Sequence, residues 1–255
     1  MKRKIKIIII SIISILVLTI IFLIIAHYND IIKTKDNLEI VQIPNNDRNK
    51  INIARQDNSP VVINNFSPIL NINRSTFNFQ EEVFGFKFDT MNNITNLDMN
   101  ISEVYGLYET GKGGCLELSI KSENDNNNQF NQKLKEYISP ISMYSDITLS
   151  LLPKNYTSQL HRRYYNLNLY IIENGSVTFQ LYHPKYQKYL KNINDKSDTI
   201  NTQLWETNGT ISNDAKYIEI IIRKGQAVII PYQWIHKYTC LENSSIINLT
   251  STDIT

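Results

Sequence analysis

Two of the four histidines in this chain, His161 and His236, lie in strand-forming sequence and are its first candidates for chemistry. A neutral imidazole ligates transition metals and carries protons near neutral pH. His161 opens the run Leu160-His-Arg-Arg-Tyr-Tyr, and His236 closes Pro231-Tyr-Gln-Trp-Ile-His. Residues two apart in a strand point to the same face, so His161 and Arg163 are expected to share one. Guanidinium is always protonated and has no lone pair to give a metal. Either histidine alone would be read as an ordinary partly buried side chain, and Arg163 as pairing with a carboxylate or covering apolar surface with its stem. Two cysteines, Cys115 and Cys240, are too few for a disulfide scaffold, and the favoured reading is two small buried side chains.

The elements that would position the histidines are short strands separated by turns. Strands are expected at Val83–Phe88, Cys115–Ile120, Asp146–Leu151, Asn166–Glu173, Ser176–Tyr182, Tyr217–Arg223, Ala227–Ile230 and Ser245–Leu249, with the short β-branched run of Val61–Ile63 before them. Many short strands with regular turns argue for an all-β sandwich or jelly roll. One helix is expected over Gln129–Tyr137, and Pro184–Lys191 is left between a helical turn and a charged loop. The expected core holds Trp234, Ile229, Val228, Leu169, Ile171, Phe179 and Leu181. Tyr164, Tyr165, Tyr182, Tyr186 and Tyr189 are expected to pack in strands and rims, with a carbohydrate-binding platform the less favoured reading.

Taken together, Gln159–Pro184 and Tyr217–Cys240 resemble the cupin-like branch of the JmjC family, 2-oxoglutarate oxygenases on a double-stranded β-helix. Ser59-Pro-Val-Val-Ile63 adds a weaker point of likeness, and the resemblance spans roughly 59–250. It implies that His161 and His236 stand at the two histidine positions of an Fe(II) site, with the carboxylate of His-x-Asp replaced by Arg163. Two unit charges at ~4 Å and an effective dielectric near 20 interact by about 4 kcal/mol, and a divalent ion roughly doubles that. The lysine that often follows the hairpin glycine to hold 2-oxoglutarate is also replaced, since the sequence there is Gly175-Ser176-Val177. The resemblance therefore implies a kept fold and a degenerate site, with no cofactor. The alternative is an active Fe(II)/2-oxoglutarate oxygenase with an unusual site, recruiting Glu219 or using a water in place of the carboxylate. Glu173 and Glu219 are the conceivable substitutes, though neither has a spacing that the family uses.

Residues 7–26 carry no charge and are mostly Ile and Leu. A helix of about 20 such residues matches the ~30 Å apolar thickness of a bilayer. Lys2, Arg3, Lys4 and Lys6 precede it, and no small-x-small cleavage site follows. The expected organisation is a cytoplasmic basic tail at 1–6, a single membrane anchor at 7–26, a polar stalk at 27–58 and a cupin-like domain at 59–255. The positive-inside rule then sends the C-terminal domain to the non-cytoplasmic side. Nine Asn-x-Ser/Thr patterns, beginning with Asn65 and ending with Asn248, fit that placement. A formal charge of +2 is too small to argue for a nucleic-acid partner. The reading is a membrane-displayed binding or structural module whose partner, protein or glycan, the residues do not name.

Overall fold

Apolar and β-branched residues recur between turns through the C-terminal half of the chain, and strands form there. The computed structural model describes residues 2–32, 38–44, 47–66, 84–90, 93–99, 115–119, 142–190, 202–205 and 211–253. The chain divides into two compact units, 1–37 and 38–255. The first is one helix, α1 (Lys2–Ile32), in which every described side chain from Ile9 to Ile25 is exposed. Among the described residues, no helix is long and apolar enough to cross a membrane.

The second unit begins with β1 (Val41–Pro44), α2 (Arg48–Gln56) and β2 (Val61–Asn64). Strands β1 and β2 pair in parallel, with Val41 opposite Val61, and parallel neighbours need a crossover such as α2. Asp47 caps α2, its side chain accepting from the Lys50 amide at 3.2 Å. Ile43, Ile51 and Ala54 are buried, which ties this segment to the sheet. The polar stretch 27–58 is therefore no stalk throughout, because a few apolar residues among many polar ones suffice to dock one strand and one helix. The folded unit starts at Leu38, not at 59.

Then follow β3 (Phe84–Thr90), β4 (Asn93–Met99), β5 (Cys115–Ser119), β6 (Ser142–Leu152), β7 (Leu160–Arg163), β8 (Leu167–Asn174) and β9 (Ser176–Tyr182). A 3-10 turn at Pro184–Tyr189 decides between the two readings left open there. The chain closes with β10 (Thr202–Trp205), β11 (Tyr217–Arg223), β12 (Ala227–Ile229), β13 (Ile235–Cys240) and β14 (Ser244–Asp253). The helix expected at Gln129–Tyr137 lies outside the described residues.

Among the described residues the strands form two sheets. One has the order β1-β2-β12-β8-β14-β6-β5-β3-β4, the other β10-β7-β13-β9-β11. From β6 to β9 the chain alternates between them, and from β11 to β14 it threads back so that later strands insert between earlier ones. A single core cluster draws Val62, Tyr170, Ile172, Val228 and Ile246 from the first sheet, and Val177, Phe179, Leu181, Ile222 and Cys240 from the second. All seven expected core residues are buried, led by Trp234, whose indole donates to the Asn58 carbonyl at 3.1 Å.

The two ends of this fold differ. At one end lie the β6–β7, β8–β9, β11–β12 and β13–β14 turns, which bind one another. The Asn155 amide donates to Cys240 O at 2.8 Å, the Lys154 amide to Asn243 Oδ1 at 2.9 Å, and the Lys224 amide to Gly175 O at 3.0 Å. Gly175 is obligatory here: its φ is +83°, and a Cβ would stand 2.7 Å from the Asn243 carbonyl. At the opposite end the β7–β8 and β12–β13 connections bring Tyr164 and Tyr232 together, with ring centroids 6.1 Å apart.

Candidate functional site

Strands β7 and β13 meet in a single register pair, and that pair is His161 opposite His236. Both side chains are buried and their ring centroids are 4.2 Å apart. The two histidines singled out from sequence are thus brought together, though 75 residues separate them.

Hydrogen bonding fixes how the rings present themselves. His161 Nδ1 lies 2.8 Å from the Gln159 carbonyl, and His236 Nδ1 lies 3.3 Å from the Trp234 carbonyl. A carbonyl only accepts, so each Nδ1 carries the proton and each Nε2 keeps its lone pair. Both Nε2 atoms then face one phenol. Tyr170 Oη is 2.8 Å from His236 Nε2 and 3.4 Å from His161 Nε2. The single hydroxyl proton goes to His236 by the shorter contact.

Electrostatics hold both rings neutral. Burial, reinforced by the Arg163 charge, pushes the His161 pKa down to about 3. Burial, then the neighbouring His161, lowers the His236 pKa well below its usual value. Arg163 acts on both histidines and lies 5.7 Å from the centre of the Tyr170 ring, on the face that strand alternation expected.

Tyr170 is the member that sequence reasoning missed. It sits on β8 within Leu169-Tyr-Ile-Ile, the one side chain of those four with a polar tip. A buried tyrosine hydroxyl needs a partner, and that requirement was the available signal. Phe179 and Tyr238 close around it, their rings 5.4 and 6.1 Å from that of Tyr170.

The substitute carboxylates are elsewhere. Glu173, at the end of β8, accepts from Ser245 Oγ. Glu219 is exposed on β11 and takes a hydrogen bond from Gln180 Nε2 at 2.9 Å. Each is hydrogen-bonded to a partner outside the histidine cluster. Among the described residues, no group of three or more His, Cys, Asp and Glu could hold a metal ion. Two imidazoles, a phenol and a guanidinium do not fit an Fe(II) site of two histidines and a carboxylate. Val177, two residues after Gly175, is fully buried and packs in the core. Cys240 is a free buried thiol, which burial pushes up to about 12.

No known protein family matches this chain, and no curated protein matches it either.

Proposed function

We propose that this protein is a membrane-anchored binding or structural module, built on a double-stranded β-helix of the cupin-like JmjC type whose catalytic centre has become a packed polar core. The strand order supports the fold assignment. Eight strands divide into β6-β14-β8-β12 and β7-β13-β9-β11, with the chain passing between the two sets in the way that a jelly roll requires. The anchor rests on α1, whose apolar side chains project on all sides with no polar face, the pattern of a helix surrounded by lipid. The basic residues ahead of it favour display of unit 38–255 on the non-cytoplasmic side.

One observation carries the inactive reading: the Tyr170 hydroxyl lies between the two Nε2 atoms and gives its single proton to one of the two lone pairs that a metal would need. Arg163 adds fixed positive charge beside them. The opposing reading, an active Fe(II)/2-oxoglutarate oxygenase, has one point in its favour. A ligating histidine commonly donates its other N–H to a carbonyl, as both rings do here.

Metal titration separates the two. The full chain, purified in detergent and titrated with Fe(II), Co(II) or Zn(II), is expected to hold no stoichiometric ion. Arg163→Asp restores a carboxylate on the same strand face and should raise affinity by about tenfold or more, which is ~1.4 kcal/mol. Adding His236→Ala should remove the gain. Tight one-to-one binding by the unaltered protein would overturn the inactive reading.

A further inference from the structure

The turns at one end of the barrel carry three Asn-x-Ser/Thr patterns on three separate connections. Asn155-Tyr-Thr157 lies in the β6–β7 turn, Asn174-Gly-Ser176 spans the β8–β9 turn, and Asn243-Ser-Ser245 leads from the β13–β14 turn into β14. These connections are adjacent in space. The Lys154 amide binds Asn243 Oδ1, the Asn155 amide binds Cys240 O, and the Leu241 amide binds Ser176 O at 2.9 Å. All three asparagines are exposed. Asn155 has a φ of +65°, the left-handed conformation that asparagine tolerates at tight turns, so its side chain projects from a corner and not from a strand face.

Two other patterns, at Asn248 and Asn65, are less suited. Asn248 is on β14, 3% exposed and paired on both sides, by Thr148 and by Tyr170. A glycan at that position would have to occupy space that the core fills. Asn65 is exposed, but Pro68 directly follows its Ser67, an order that disfavours transfer. The opposite end offers Tyr164, Tyr232 and Gln187 around Arg162, with no such pattern among its described residues.

We propose that Asn155, Asn174 and Asn243 are N-glycosylated and that their glycans cover this end of the barrel, leaving the tyrosine-bearing end bare. The inference rests on the reading that unit 38–255 lies on the non-cytoplasmic side, where the transfer takes place. Each asparagine Nδ2 forms a bond to C1 of the first sugar of a polyprenyl-diphosphate-linked oligosaccharide. The bond from C1 to the diphosphate oxygen breaks, the polyprenyl diphosphate leaves with the electron pair, and one amide proton passes to a base of the transferase. The hydroxyl two residues along, which recognition requires, is present in each case as Thr157, Ser176 or Ser245.

The full chain, expressed in a eukaryotic secretory pathway, provides the test. Enzymatic release of N-glycans in heavy-oxygen water marks each former site as a labelled aspartate, read by peptide mass spectrometry. Label is expected at 155, 174 and 243 and absent at 248. Asn155→Asp, Asn174→Asp and Asn243→Asp should each speed gel migration by one glycan's worth; aspartate keeps the turn geometry and the acceptor that Lys154 uses at position 243. Vesicles from the same cells are treated with protease in parallel. A protected domain unlabelled at the three positions overturns this proposal alone, as does label at 248. A digested domain without label anywhere overturns the placement reading and this proposal with it.

Discussion

Tyr170 turns two histidines into a closed hydrogen-bonded unit, and the cost of that closure is a sensitivity to acid. Both rings are neutral in the folded state with pKa values below that of a free histidine. The unfolded chain therefore binds more protons than the folded one as soon as pH drops below about 6.5, the ordinary histidine value. Stability is complete above that pH and falls on acidification, until His161 itself titrates near 3. Each histidine contributes a slope of ~1.4 kcal/mol per pH unit in that window. Urea midpoints measured from pH 7 to 4.5 should fall steeply, and a His161→Gln/His236→Gln pair should flatten the curve. A wild-type curve without slope there would mean that the rings are not buried as neutral groups. At this scale the sequence was legible wherever a residue's partner was set by strand alternation, as for His161 and Arg163. It was opaque where the partner came from the other sheet, as Tyr170 did, because no local spacing links β8 to β13.

Strand pairing explains which elements could be read and which could not. Strands β9 and β11 run over the residues expected of them; Gly175 marks the start of β9, and the Lys224-Gly225 turn marks the end of β11. β6 and β14 are longer than expected because they pair with each other over most of their length, and a partner extends a strand past its apolar stretch. β1 and α2 were hidden in polar sequence. β7 has only four residues, two of them arginine, and owes its place to β10 and β13 on either side. The centre of the arrangement is Phe179 on β9, fully buried between the Tyr170 and Tyr238 rings. Phe179→Ala should cost about 3 to 5 kcal/mol, the usual range for an aromatic removed from a close-packed core. Chemical denaturation measures it, and an unchanged midpoint would place Phe179 outside the cooperative core.

For the whole molecule, the decisive property is the difference between unit 1–37 and unit 38–255. The first exposes apolar side chains throughout its described stretch, whereas the second buries most of its described ones. In sealed vesicles whose lumen is non-cytoplasmic, residues 38–255 should resist added protease until detergent is supplied, because the basic residues precede the apolar run. Digestion without detergent would reverse the orientation. The placement of β1 adds a mechanical consequence. It is the first described strand after unit 1–37, it lies at the outer edge of its sheet, and four register pairs join it to β2. Under the proposed anchoring, tension applied through the N-terminal segment would enter unit 38–255 through this strand. The β1–α2 segment would peel first and lengthen the tether, while β7 and β13, in the other sheet, stay joined at His161 and His236. The β1–α2 segment would thus act as a sacrificial link that yields while the polar core stays closed.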